Sequence, residues 1–223
     1  MKKPVIAIDG FSSTGKSSIS KEIAKRLGLV HMDTGALYRG ITYFALTNCY
    51  KDGNIDLENL FGCLHKAKLE FRDLDGELVL FLNDENIGEK IRENNVSDHV
   101  SLIAKQKEVR AFLLETQRKI AEKGGVIMDG RDIGTVVLPN ADYKFFLTAS
   151  VEERTKRRYL ELKNLGIKTD RIAVQHNLVT RDKIDSEREV APLKQAADAI
   201  LIDNSHISKE ETISLILSYI KPF

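Results

Sequence analysis

Eight consecutive residues, Gly10-Phe11-Ser12-Ser13-Thr14-Gly15-Lys16-Ser17, satisfy the pattern G-x-x-x-x-G-K-[S/T] in full. The chemistry open to such a pattern is phosphate binding. Its two glycines let a loop curl until successive backbone N–H groups point inward at phosphate oxygens. A lysine at this spacing supplies a point charge near the β- and γ-phosphates, and the hydroxyl after it can hold Mg²⁺. Lys16 and Ser17 take those places. The match lies between the apolar run Val5–Asp9 and a helical pattern opening near Ser17, and that strand–loop–helix setting argues against a chance Gly/Ser-rich turn. The helix N-terminus adds the positive end of its dipole. The segment therefore binds a nucleoside triphosphate.

Other clusters bear on what is done with it. A GTPase switch would need Asn-Lys-x-Asp after a strand, and the tetrapeptide is absent from the sequence. A motor or helicase would carry more chain and a nucleic-acid surface. A small kinase remains, and it needs a second anion site. Asp33-Thr34-Gly35 with Tyr38-Arg39 follows one apolar run, and Asp129-Gly130-Arg131-Asp132 ends another. Arg154, Arg157 and Arg158 cluster on a later helical stretch, and Arg181-Asp182-x-x-Asp185-x-x-Arg188 places Arg181, Asp185 and Arg188 on one helix face. Singly these read as a surface arginine, a capping aspartate, a solvated helix face and a salt-bridge ladder. The first two clusters follow strands, at the rim that carries the phosphate loop, and together the set outweighs the separate readings. A monophosphate oxygen is already anionic near neutral pH, so transfer to it needs positioning and charge neutralisation rather than a general base. His31, His65, His99, His176 and His206 show no triad or metal spacing and read as structural or exposed.

Elements must hold these groups in place. Val5–Asp9, Leu29–Met32, Val126–Asp129, Lys144–Ala149 and Ala199–Asp203 are short apolar runs suited to strands buried on both faces of a parallel sheet. Ser17–Leu27, Gly35–Thr47, Val100–Glu122 and Glu210–Ile220 carry helical periodicity. Alternation of the two predicts a doubly wound α/β fold that binds ligands beyond the carboxyl ends of its strands. Leu69–Arg72 and Leu78–Leu82, joined across Asp75-Gly76, read as a hairpin, with Asn83–Ile87 as a third strand, and residues 64–95 form a small antiparallel insert.

The 223 residues suit one domain, 1–223, and the net charge of +1 argues against nucleic-acid or polybasic membrane binding. No stretch has the length of apolar residues a spanning helix needs. Cys49 and Cys63 read as reduced thiols of a cytoplasmic protein.

The residues alone lead to a P-loop kinase of a small anionic substrate. Kinases of another nucleotide or of shikimate, and a nucleotide-binding regulatory module without turnover, stay open on that basis. Over nearly its whole length the chain also resembles the bacterial cytidylate kinases. The resemblance rests on Ile8–Ser18, Asp33–Arg39, Asp129–Val137, Phe146–Arg154 and Arg181–Leu193, of which Asp129–Val137 and Arg181–Leu193 are the more specific. It implies a P-loop nucleoside monophosphate kinase fold: a central five-stranded parallel sheet flanked by helices, a small antiparallel β insert and a helical lid. It implies ATP as donor, Mg²⁺ held by Ser17, CMP and dCMP as acceptors, and a cytoplasmic monomer.

By the same resemblance Gly10, Phe11, Ser12, Ser13, Thr14, Gly15, Lys16, Ser17 and Ser18 would hold ATP, and Lys16, Arg131, Arg154 and Arg158 would be catalytic. Thr34, Arg39 and Arg131 would meet the CMP phosphate, with Arg92 in support. Ser101, Arg110 and Asp132 would surround the cytosine, Arg181 and Asp185 would reach the sugar, and Arg188 would join the same pocket. The lid would be Arg154–Asn164, extending to about residue 175. Thr34 stands where some members have Ser, and Phe11 where a small residue or Pro is frequent. Independently, a carboxylate such as Asp132 can accept from the cytosine N4 amino group.

Overall fold

Apolar runs that end in Asp or Gly become strands here, and the amphipathic stretches between them become helices. The computed structural model describes residues 3–74 and 77–223. The chain opens with β1 (Val5–Gly10), α1 (Lys16–Leu27), β2 (Val30–Asp33) and α2 (Thr34–Asn48). Next come β3 (Tyr50–Lys51), β4 (Asn54–Ile55), α3 (Leu57–Cys63), β5 (Leu69–Leu74), β6 (Glu77–Leu82) and β7 (Glu85–Asn86). Two helices, α4 (Asn94–Ala104) and α5 (Lys107–Ala121), lead into β8 (Val126–Gly130), β9 (Tyr143–Thr148) and α6 (Val151–Asn164). The chain ends in α7 (Arg171–Glu187), β10 (Ile200–Asp203) and α8 (Lys209–Tyr219).

It divides into two compact units, one made of the residues up to Met32 with Arg118–Phe223, the other of Asp33–Gln117. The first unit is built on a five-stranded parallel sheet of order β10-β9-β1-β8-β2. Strand β1 lies in the middle, paired on one side with β8 and on the other with β9, so the order reverses beside its carboxyl end. That is where an open α/β sheet leaves a crevice. Ile6, Ile8, Ile127, Phe145 and Leu147 of the sheet pack with Ile19 and Ile23 of α1 and Ile213 and Ile216 of α8. Each such fully buried side chain contributes about 1.5–3 kcal/mol relative to exposure. The edge strands differ from the expectation of burial on both faces: Val30 of β2 and Leu201 of β10 are exposed, because only the inner strands have sheet neighbours on both sides. Helices α6 and α7 pack together around Leu162, Val174 and Leu178, a small core separate from that of the sheet.

In the second unit β5, β6 and β7 form the antiparallel sheet, with Leu69 opposite Leu82 and Phe81 opposite Asn86. The turn expected at Asp75-Gly76 lies outside the described residues. Helix α2 packs on α4 and β6. Gly40 permits the close approach, since a Cβ there would stand 2.9 Å from Leu69 Cδ2 and 3.1 Å from Leu80 Cδ2. The single helical pattern expected over Val100–Glu122 is instead two helices, α4 and α5, parted at Lys105-Gln106. Side chains take up the carbonyls exposed by the break: Gln106 Nε2 donates to Leu102 O (2.9 Å) and Arg110 Nη1 to Ala104 O (3.1 Å).

Candidate active site

The phosphate loop starts at a backbone position that only glycine fits. Gly10 has φ of 149°, and a Cβ there would stand 2.0 Å from Leu147 O of the neighbouring strand. From there the loop turns through Ser13 (φ 59°) and Gly15 (φ 88°) into α1, whose first helical residue is Lys16. Lys16 Nζ folds back on the loop and donates to Phe11 O at 2.6 Å, and Thr14 Oγ1 donates to the same carbonyl at 3.0 Å. Burial, with Arg131 adding to it, pushes the Lys16 ammonium down to about 7. Ser18 Oγ caps back to Gly15 O at 3.1 Å.

Ser17 points the other way and donates to Asp129 Oδ2 at 2.7 Å, while the other carboxylate oxygen meets His31 Nε2 at 2.6 Å. A hydroxyl and a carboxylate at a strand end, beside the phosphate loop, are hard oxygen donors of the kind Mg²⁺ prefers. Among the described residues no group of three His, Cys, Asp or Glu could hold a metal by itself. Mg²⁺ is commonly held by one or two protein oxygens with phosphates and water completing its shell, so the donors Ser17 and Asp129 fit it.

Four arginines of the first unit surround this loop, and each meets a carboxylate. Arg131 Nε donates to Asp185 Oδ2 at 3.0 Å and its Nη2 to Ser12 Oγ at 2.9 Å. Arg154 donates to Asp182, to Ser12 O (3.2 Å) and to Ala149 O (3.0 Å), and its guanidinium lies 5.3 Å over the Phe11 ring. Asp182 Oδ1 also accepts from the Ser12 amide at 3.1 Å. Phe11 packs edge-on against Phe146 (5.7 Å), so the bulky residue in the loop is a platform for Arg154. Arg157 donates to Glu153 and to Asn204, while Asn204 Nδ2 donates to Thr14 O at 2.9 Å. Arg158 pairs with Glu161 at 2.9 Å. A cleft of about 420 Å³ opens beside Ser13, Thr14 and Gly15, lined also by Arg157, Arg158, Asn204, Ser208 and Lys209.

A second network follows β8. Asp9, at the end of β1, accepts from the amides of Ile133 (2.8 Å) and Gly134 (2.7 Å). Burial raises its carboxyl to about 6, against the lowering effect of those two amides. The turn it holds, Ile133–Val137, is π-helical, and Arg118 closes its far end by donating to the carbonyls of Val136 and Val137. Asp132 just before it is buried and accepts from Arg188 Nη2 at 3.3 Å. Arg188 also reaches Ala191 O (2.7 Å) and Asp185 (3.8 Å). It does not ride the α7 face with Arg181 and Asp185: the helix ends at Glu187 and Arg188 is extended (ψ 142°), which turns its side chain toward Asp132. Arg181, half-buried, stays on α7.

The second unit holds the remaining predicted residues. Asp33 caps α2 by accepting from the Ala36 amide and pairs with Arg39 one and a half turns on, and Thr34 is the buried first residue of that helix. Ser101 is buried on α4, and buried Arg110 of α5 lies 5.3 Å over the Tyr38 ring. Arg92 ends a short 3₁₀ turn before α4.

Asp9, His31, Asp129, Asp182 and Asn204 join the site without having been assigned to it. Asp129 and Asp182 stand inside motifs already singled out, and Asn204 directly follows a strand of the sheet, where ligand residues gather. His31 is part of the site rather than isolated, but no local spacing ties it to Asp129, 98 residues away.

Known proteins resemble this chain over nearly its whole length. The cytidylate kinase family matches residues 6–222. A cytidylate kinase of Bacillus cereus (strain ATCC 10987 / NRS 248) is 45% identical over 222 residues, covering 98% of this chain and 96% of its own. One of Bacillus thuringiensis (strain Al Hakam) is 44% identical over the same shares. Among solved structures, an uncharacterized protein from Eubacterium ventriosum ATCC 27560 superposes with a TM-score of 0.51 at 13% identity, covering 98% of each chain, a likeness of fold alone.

Proposed function

This chain belongs to the cytidylate kinase family, and from that premise we propose how its own residues carry out the transfer. The enzyme is an ATP-dependent nucleoside monophosphate kinase that moves the γ-phosphoryl group of ATP to CMP. The observation that carries the reading is at Ser12, whose hydroxyl takes Arg131, whose carbonyl takes Arg154 and whose amide is held by Asp182. Two guanidinium groups thereby converge on the phosphate loop.

The amides of Gly10–Ser18 cradle the ATP phosphates. Lys16 exchanges the Phe11 carbonyl for phosphate oxygen, and Arg131, Arg154 and Arg158 offset the charge shared by donor and acceptor in transit. Ser17 and Asp129 would hold Mg²⁺, which would supply positive charge to offset the repulsion among the phosphate oxygens. In the second unit Thr34 and Arg39 take the CMP phosphate with Arg92 in support, and Ser101 and Arg110 take the base. In the first unit Arg131 serves the phosphate, Asp132 the base, and Arg181 and Asp185 the sugar, with Arg188 in the same pocket. The carboxylates now paired with the arginines keep several cations close together until phosphate replaces them. Helix α6 and the chain to about residue 175 act as a lid, a role that suits a helix pair with its own small core. We assign dCMP as a second acceptor and place the enzyme in the cytoplasm as a monomer of one functional domain with a β insert. Among the described residues no helix is long and apolar enough to cross a membrane.

An ADP-release assay with CMP, dCMP, UMP, AMP and shikimate as acceptors tests the assignment. CMP and dCMP should support turnover, with UMP lower by about one to two decades in kcat/KM. Faster turnover with AMP or shikimate, or none with CMP, would overturn it.

A further inference from the structure

Cys49 and Cys63 take no part in the site above, yet the fold brings their sulfurs to 3.5 Å across 14 residues of chain. Neither is in a disulfide. The backbone on both sides is fixed. Cys49 ends α2, with its amide on Ala45 O at 2.8 Å, and its carbonyl accepts from the Asp56 amide at 2.8 Å. Between them β3 and β4 pair as a hairpin, Tyr50 opposite Ile55 and Lys51 opposite Asn54. Asp56 then caps α3, of which Cys63 is the last residue, and Leu60 and Leu64 beside Cys63 are buried. The entropy of bringing two thiols together is therefore already met by folding, and an S–S bond of about 2.05 Å needs only a small approach.

We propose that Cys49 and Cys63 form a redox modification site, a dithiol that a small-molecule disulfide oxidises to an intramolecular disulfide. Cys63 is half-buried and Cys49 only 3% exposed, so Cys63 meets the oxidant first. Burial, together with the adjacent Cys63 thiol, raises the Cys49 thiol to about 11, which also makes it the poorer first nucleophile. The Cys63 thiolate attacks one sulfur of the reagent RSSR, forming a mixed disulfide and expelling RS⁻. The Cys49 thiolate then attacks the Cys63 sulfur and expels the second RS⁻. Two protein thiols lose two electrons and two protons, and RSSR leaves as two RSH. With the second thiol already in contact, the mixed disulfide should not accumulate.

The test uses the full chain, oxidised glutathione at neutral pH without oxygen, a quench with N-ethylmaleimide, and intact mass. The wild type should become two hydrogens lighter with neither glutathione nor maleimide attached, and dithiothreitol should restore it. Cys49→Ser, checked for native circular dichroism, should hold glutathione on Cys63 at a level about tenfold or more above the wild type, because the resolving thiol is gone. Two maleimides on the treated wild type, a lasting glutathione adduct on it, or disulfide-linked dimers would each overturn the proposal. The wild-type measurement decides it even if a variant fails to fold.

Discussion

Arg154 and Asp182 form a buried ion pair against the phosphate loop, with the carboxylate also accepting from the Ser12 amide and the guanidinium reaching the Ser12 carbonyl. One loop residue is thus gripped on both its polar backbone groups by a salt bridge between α6 and α7. Arg158, one turn along the same helix, pairs with Glu161 of α6.

These two arginines should therefore separate folding from catalysis. Arg154 is 5% exposed, and Arg154→Ala leaves Asp182 buried and unpaired, an expected loss of about 3–5 kcal/mol along with activity. The Arg158 side chain is 22% exposed, and Arg158→Ala should lower kcat strongly while stability stays within about 1 kcal/mol. Urea denaturation and CMP turnover of both variants check this. Equal stability of the two, or wild-type kinetics in Arg158→Ala, contradicts it.

Lys16→Ala should abolish turnover, and Lys16 should also link ATP binding to protons. In the unfolded chain the lysine keeps its proton to about 10.5, whereas in the folded protein it holds it only to about 7. Below pH 7 the fold bears the full cost of a buried ammonium, and that cost fades between pH 7 and 10.5. Bound triphosphate favours the ammonium, so ATP binding above pH 7 should take up protons. Calorimetry in two buffers of different ionisation enthalpy measures the uptake. Lys16→Ala should lose it, and a wild type with no uptake at pH 8 would refute the linkage.

His31 orients Asp129, which in turn holds Ser17. His31→Ala should raise the Mg²⁺ requirement of CMP turnover by about 10–100-fold, as loss of a partner behind a metal-binding group does, while the protein stays folded. Mn²⁺ affinity of the ADP complex, read by electron paramagnetic resonance, should fall in parallel. Unchanged affinity in both measurements would reduce His31 to a packing role.

Asp132 tests the choice of base. UMP presents a carbonyl where CMP presents an amino group, and two facing acceptors cost about 1–3 kcal/mol. Because Asp132 also pairs with Arg188, whose side chain is 2% exposed, Asp132→Asn is the cleaner probe than Ala. It should cut kcat/KM for CMP far more than for UMP. Equal proportional losses would mean that Asp132 only balances Arg188.

Much of this was legible in the chain because it is local. The phosphate loop, the strands around it and the Arg131-Asp132 pair follow from spacing within a few residues. The hairpin β3–β4 carried a local signal as well, Asp52-Gly53, both with positive φ, but it is so short that the sequence predicts no strands there. What spacing could not show is long-range. Asp182 reaches Ser12 across 170 residues, His31 reaches Asp129 across 98, and Asn204 reaches Thr14 across 190. The break between α4 and α5 was hidden for another reason: the apolar period runs straight through it, and side chains four and six residues on, Gln106 and Arg110, meet two of the carbonyls it exposes.

The pairing of Arg131, Arg154, Arg157, Arg158 and Arg188 with Asp185, Asp182, Glu153, Glu161 and Asp132 leaves little uncompensated charge to project into solvent. Long-range steering of anions is then weak, and recognition waits until a ligand is near enough to exchange with the carboxylates one by one. Such a site should be only mildly sensitive to ionic strength, unlike one that relies on a bare positive field screened over about 8 Å in physiological salt. It also selects by shape: the paired arginines offer a nucleic-acid backbone little pull at a distance, whereas a single nucleotide can enter and take over the hydrogen bonds already in place.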